Sequence, residues 1–186
     1  MSDILTIIHE CTDFSRWKSG YDADAANRKS AGLTDLMQVR QSTNPKVIAL
    51  VFGVADLAKA KAMVASPALR QAMQNAGVVG TPQVHFRRGD WTTRDAANYL
   101  SLNCRIRDID TFRKGYAMDK ADRQTAGLTD LALLQDVDDP NDLALVWAVD
   151  DVARAQTFLE SPRLAEHQVK NAGVTSQPLL RFWKKD

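Results

Sequence analysis

Cysteine is scarce. Cys11 and Cys104 are the two thiols in a chain of 186 residues, too few to staple a secreted domain of this length. Reduced thiols in a cytoplasmic protein are the expectation. No apolar run approaches the roughly 20 residues of a membrane span. Met1-Ser2-Asp3 leads, with no basic segment, into a short apolar stretch that ends at His9-Glu10, so neither a signal peptide nor a membrane is expected. An excess of one charge is missing too. The 24 Lys and Arg against 23 Asp and Glu leave a formal charge of +1, and the densest basic runs are the pairs Arg87-Arg88 and Lys184-Lys185. Nucleic-acid binding needs a basic stripe or cluster, so no nucleic-acid partner is expected. The three histidines, His9, His85 and His167, have no metal-ligand spacing, and the nine glycines form no phosphate-cradling loop. No nucleophile-elbow motif occurs either, and neither a metal nor a cofactor is expected.

What the chain does have is a repeat. Ala31-Gly32-Leu33-Thr34-Asp35-Leu36 returns as Ala126-Gly127-Leu128-Thr129-Asp130-Leu131, an offset of 95 residues. Holding that offset from position 13 to 69 gives identity at 23 of 57 positions. One residue is inserted before Asn171-Ala172-Gly173, which aligns with Asn75-Ala76-Gly77. A period this long exceeds solenoid repeats of roughly 20–50 residues, so each copy is a domain-sized unit. Residues 1–88 form the first copy and 97–186 the second; the polar, aperiodic segment 88–97 joins them.

Each copy reads as strand, helix, strand, strand, helix, strand. Residues 4–11 and 99–106 alternate, which places Leu5, Ile7, His9 and Cys11 on one face, matched by Leu100, Leu102, Cys104 and Ile106. The apolar face should pack under the helices. Asp13 and Asp108 stand where helix N-caps belong, and Gly32 and Gly127 at left-handed C-terminal positions. Strands over 33–41 and 47–54 flank the turn at Asn44-Pro45, whose counterpart is Asp139-Pro140. A second helix begins near Asp56 and is restarted by Ser66-Pro67, with Ser as N-cap and Pro in the first turn. Gly77 ends it, and a last strand follows Pro82. This order is the ferredoxin-like split unit. A sheet face in so small a unit needs cover, which the other copy supplies. The expected fold class is therefore α+β: two tandem ferredoxin-like β-α-β-β-α-β modules packed sheet to sheet as a pseudo-dimeric α+β barrel.

The Asp-capped helix with its aromatic, Gly-Tyr, Asp and Arg, then Ala-Gly-Leu, the Asn/Asp-Pro turn and Ser-Pro-x-Leu before Asn-Ala-Gly-Val, resembles the dimeric α+β barrel superfamily. Within it the chain is most similar to small proteins grouped near the antibiotic biosynthesis monooxygenases. The resemblance covers nearly all of both copies. It implies a barrel whose two halves one chain supplies, an intramolecular pseudo-dimer, with further self-association left to another surface. The superfamily holds cofactor-independent oxygenases, haem-degrading enzymes, isomerases and proteins without known activity. Haem-degrading members rely on an Asn, Trp and His set. Copy one has Trp17 and His9 without an adjacent Asn, and copy two has Asn103 with Phe112 and Cys104, so neither carries the whole set.

The sharpest local feature is a stripe on the first helix. Trp17, Tyr21, Asp24 and Arg28 are spaced by four, three and four and share one helical face, repeated as Phe112, Tyr116, Asp119 and Arg123. One reading is an aromatic core contact plus an Asp24–Arg28 ion pair. The other is a pocket wall, with His9 and Tyr21 as catalytic groups and Trp17, Asp24, Arg28, Tyr116 and Arg123 binding substrate. Gly20 and Gly115 mark a close approach of another group to the helix. Copy one alone joins an imidazole and a tryptophan to the shared Tyr and Arg, and is expected to hold the working site. Three functions fit: binding of a small-molecule ligand, cofactor-independent monooxygenation or isomerisation of an aromatic or polyketide-like substrate, and a structural duplicate with no open site.

Overall fold

The computed structural model describes residues 1–185 and divides them into two compact units, module 1 over Ser2–Arg87 and module 2 over Arg88–Lys185, with Met1 counted in the latter. Module 1 runs β1 (Ser2–Cys11), α1 (Phe14–Ala23), α2 (Ala25–Ser30), β2 (Leu33–Gln41), β3 (Val47–Val54), α3 (Leu57–Ala65) and α4 (Pro67–Asn75), then enters β4 (Val78–Trp91). Module 2 repeats the order as β5 (Asn98–Arg105), α5 (Ile109–Met118), α6 (Lys120–Thr125), β6 (Leu128–Asp136), β7 (Asp142–Val149), α7 (Val152–Leu159), α8 (Pro162–Lys170) and β8 (Leu179–Lys184). The chain is thus two repeated β-α-β-β-α-β modules.

The local signals act as their chemistry requires. Asp13 accepts from the Arg16 backbone N–H at 2.7 Å and Asp108 from that of Thr111 at 2.8 Å. Ser66 and Ser161 cap α4 and α8, with proline in the first turn of each. Gly32 and Gly127 take φ of 75° and 77°, where a β-carbon would strain the chain.

Two boundaries differ from the sequence reading. The first helix of each module does not run unbroken to Ala31 or Ala126. It stops at Asp24 (φ −84°, ψ 5°) and at Asp119 (φ −89°, ψ 6°), and each Asp then heads a second short helix. The last strand of module 1 starts at Val78, before Pro82, and runs on to Trp91, so half of the supposed linker is strand; the Thr92 N–H continues it with a bond to the Leu131 carbonyl at 2.8 Å.

In module 1, β3 pairs antiparallel with β1 and with β2. In module 2 the order is β8-β5-β7-β6, all antiparallel. Both β2 and β6 carry a β-bulge, between Asp35 and Met37 and between Asp130 and Ala132. Helices cover one face of each sheet. Leu5, Ile7, Cys11, Trp17, Ile48, Leu50 and Phe52 centre the core of module 1, and Leu100, Leu102, Cys104, Phe112, Leu143, Leu145 and Trp147 that of module 2. Among the described residues no helix is long and apolar enough to cross a membrane.

Candidate functional site

Alternation along β1 turns His9 toward the helices, where it is 5% exposed. Among the described residues neither ring nitrogen has a hydrogen-bond partner. Burial lowers its pKa from 6.5 to about 4, because nothing beside it compensates the desolvation of an imidazolium. The ring is therefore neutral near pH 7. Trp17 lies 5.6 Å from it between ring centroids, and Tyr21 stacks on Trp17 at 5.0 Å, as the four-residue helical spacing requires.

Arg28 lies under the same helix, buried, with its guanidinium 3.7 Å from the Tyr21 ring centroid. It is not paired with Asp24. Its Nη2 meets the Asp35 carboxylate at 3.3 Å, its Nε donates to Asp35 at 3.4 Å and its Nη1 donates to the Tyr21 carbonyl. The expected i,i+4 ion pair fails because the helix breaks at Asp24, where the Asn27 amide donates to the carboxylate at 2.7 Å. Arg123 repeats the arrangement: it spans Asp130 and the Tyr116 carbonyl, 3.4 Å over the Tyr116 ring. Both guanidiniums tie the first helix to β2 or β6. Asp35 and Asp130 are the polar partners that sequence reasoning missed. The available signal was an Asp kept in both copies between apolar residues, in Leu33-Thr34-Asp35-Leu36 and Leu128-Thr129-Asp130-Leu131.

The modules differ in how the remaining polar groups are met. In module 2 the Tyr116 hydroxyl donates to Asp130 at 2.6 Å, and the Trp147 indole N–H reaches both the Tyr116 oxygen and Asp130 at 2.8 Å. Burial alone would raise the Asp130 carboxyl, yet hydrogen bonds from Arg123, Tyr116 and Trp147 hold it below its usual range. In module 1 the Tyr21 hydroxyl donates to Asp35 at 3.0 Å, but Phe52 stands where Trp147 stands and offers no donor. Burial pushes both tyrosine hydroxyls far above their ordinary pKa. Cys104 replaces His9 in module 2, its thiol pushed up to about 11 by burial; it is held neutral and packs in the core.

Each module encloses a cavity between helices and sheet. That of module 1 measures about 60 Å³ and is lined by His9, Trp17, Gly20, Tyr21, Asp24, Arg28, Phe52 and the flexible Met63 and Met73, with Leu69, Ala72 and Ala76 on the α4 side. That of module 2 measures about 40 Å³ and is lined by Cys104, Phe112, Tyr116, Asp119, Arg123, Trp147 and Phe158 among others. His9, Trp17, Tyr21, Asp24 and Arg28 therefore surround one space, and Tyr116 and Arg123 another. Among the described residues no group of three or more His, Cys, Asp or Glu could hold a metal ion.

The close approach marked by the mid-helix glycines is made by the end of the second helix rather than by a strand. A β-carbon on Gly20 would lie 2.9 Å from Ala76 Cβ, and one on Gly115 would lie 2.6 Å from Ala172 Cα. Near Gly115 a further contact appears. His167 on α8 places Nε2 2.9 Å from the Gly115 carbonyl and 3.1 Å from the Asp119 carboxylate, while its Nδ1 accepts from the Asn171 amide at 2.8 Å. Two acceptors facing Nε2 and a donor facing Nδ1 fix the tautomer with the proton on Nε2. Its counterpart in module 1 is Ala72, at the same offset of 95.

No protein-family model matches the sequence, and no curated protein does. Solved structures match over the whole chain. An anthrone oxidase-like protein superposes with a TM-score of 0.61 at 7% identity, covering 98% of this chain and 90% of its own. A ferredoxin-fold protein from Listeria monocytogenes related to antibiotic biosynthesis monooxygenases gives 0.54 at 11%, covering 100% and 96%. A monooxygenase-like protein from Listeria innocua gives 0.53 at 12%, covering 100% and 95%. The fold expected from the sequence, a tandem of ferredoxin-like modules like those of antibiotic biosynthesis monooxygenase-related proteins, is the fold these structures share.

Proposed function

We propose that module 1 binds a small, uncharged, largely apolar molecule in the cavity beneath α1, with His9 and Tyr21 as its polar contacts. The observation that carries this is His9, buried with both ring nitrogens unpartnered beside that cavity. An unmet buried polar group costs about 1–3 kcal/mol, a cost that a ligand hydroxyl or carbonyl would remove. Module 2 has Cys104 at the same place, and among the described residues no unmet buried side-chain nitrogen or oxygen lines its cavity. Arg28 serves as pocket wall, its donors already committed to Asp35 and the Tyr21 carbonyl. The cavity of about 60 Å³ is smaller than the roughly 150 Å³ that takes a benzene ring. A ring-sized ligand enters when Met63 and Met73 repack, for which their unbranched side chains suit them.

Catalysis on the same ligand, by cofactor-independent oxygenation or isomerisation, is the second reading, and the names of the oxygenase-like relatives favour it. The proton chemistry favours binding. A base near pKa 4 is far weaker than one poised near neutral pH, and the Tyr21 hydroxyl holds its proton strongly. The test titrates phenol into the full chain and follows the His9 ring nitrogens by NMR. Saturable shifts, lost in Phe52→Trp, are expected, and in His9→Cys the phenol affinity, read from the backbone amides of Trp17 and Tyr21, should weaken about tenfold. An unmoved His9 would overturn the reading. Oxygen uptake with a hydroquinone would move the conclusion to the enzyme.

A further inference from the structure

His167 shows what belongs at the mouth of the other cavity. In module 2 the gap between α5 and α8 is closed by its imidazole, whose Nε2–H points at the Gly115 carbonyl and the Asp119 carboxylate. Both side chains of that pair are largely buried, 12% and 13% exposed. In module 1 the frame recurs without the plug. Gly20 and Asp24 line the cavity on α1, Ala72 lines it on α4, and the side chain that would close the gap ends at a β-carbon. The carboxylate of Asp24 takes one side-chain hydrogen bond, from Asn27 to Oδ1. No α4 side chain supplies the donor that Asp119 receives from α8.

We infer that the mouth of the module 1 cavity is a binding site for an N–H donor head, an imidazole or a protonated amine, seated between Asp24, the Gly20 carbonyl and Ala72 as His167 is seated in module 2. This rests on the cavity reading above and adds the polarity of the ligand's outer end: an apolar body inside, an N–H donor at the rim. The choice of donor follows from the Asp24 carboxylate and the Gly20 carbonyl, both acceptors; the carbonyl already takes the Asp24 N–H at 3.2 Å and keeps a second lone pair. An anionic head would meet the Asp24 carboxylate and be rejected. A cationic head would gain a charge-assisted hydrogen bond to the same group.

Imidazole itself is the probe, since it is the side chain module 1 lacks. Titrated into the full chain, it should give saturable amide shifts at Gly20, Asp24 and Ala72. Binding should tighten on going from about pH 8 to about pH 6, where the probe becomes a cation. Asp24→Asn should weaken it about tenfold. Ala72→His should abolish it, because module 2 already shows that a histidine fits the frame. In module 2, His167→Ala should open a second imidazole site at Gly115 and Asp119, and added imidazole should restore the thermal stability that the substitution removes. Unmoved Gly20, Asp24 and Ala72 amides, or a wild-type affinity in Ala72→His, would overturn the inference. The two readings fail separately: phenol reports on His9 inside the cavity, imidazole on Asp24 at its rim.

Discussion

In module 2 the polar side chains that hold the first helix find one another: Tyr116 with Asp130, Trp147 with both, Arg123 with Asp130, His167 with Asp119. Module 1 keeps the frame, Tyr21 with Asp35 and Arg28 with Asp35, and gives up the finishing residues. Phe52 takes the place of Trp147, Ala72 that of His167, and His9, with no partner, that of Cys104. Duplication starts both halves from one stable arrangement. A buried imidazole without a partner weakens the half that holds it, which is the cost the proposed ligand would remove.

If the frame is common to both halves, its removal should hurt both alike. Arg28→Ala and Arg123→Ala should each destabilise the chain by about 2–3 kcal/mol, since each removes a buried guanidinium packed on a tyrosine ring and leaves the Tyr21 or Tyr116 carbonyl unmet, while the half-exposed Asp35 and Asp130 carboxylates regain water. Urea unfolding measures this, and a large effect in one module alone would break the equivalence. The Asp35 contact gives Arg28 a structural role beside its place in the cavity wall.

The second difference is titratable. The folded pKa of His9, about 4, lies below its unfolded value near 6.5. The unfolded chain therefore binds the extra proton first as pH falls. The stability tied to neutral His9 is complete above about pH 6.5 and is lost progressively down to about pH 4, reaching about 2 kcal/mol at pH 5. His9→Cys, which installs the module 2 residue, should flatten the stability profile over that window while leaving the carboxylate-driven loss below it. Parallel profiles for the two proteins would sink the assignment.

The smallest expected effect concerns the indole. Trp147→Phe removes one N–H shared by Tyr116 and Asp130 and should cost about 1–2 kcal/mol. The reverse exchange, Phe52→Trp, should leave stability within about 1 kcal/mol of wild type, because its indole finds Tyr21 and Asp35 waiting. Equal losses for both exchanges would show that the difference is one of volume rather than of hydrogen bonding.

Much of this was legible in the residues. The offset of 95 is read from the repeat itself, and the Asp and Ser-Pro caps, the left-handed glycines and the facing of His9 follow from local rules that act over four residues or fewer. The partners were not. Arg28 finds Asp35 across a helix break and a strand, and spacing on a single helix pointed to Asp24 instead. The link between His167 and Gly115 joins residues 52 apart, a distance over which no periodicity carries information. Whether a buried polar atom is satisfied depends on such long-range neighbours, so the feature that separates the two modules was the one least visible in the sequence.

The bulges in β2 and β6 divide each strand into two phases. Upstream, Leu33 and Asp35 stand opposite Val54 and Phe52 on the helix side; downstream, Gln38 and Arg40 stand opposite Leu50 and Ile48 on that same side. Odd positions give way to even ones across a single extra residue. Deleting Leu36 would remove the extra residue and restore plain alternation, leaving Gln38 and Arg40 on the helix side opposite Leu50 and Ile48. The carboxylate of Asp35 keeps its place only if the phase is counted from Gly32. A deletion elsewhere in β2 that leaves the bulge in place, unlike one in the Asn44-Pro45 turn, would invert part of a surface rather than shorten a loop.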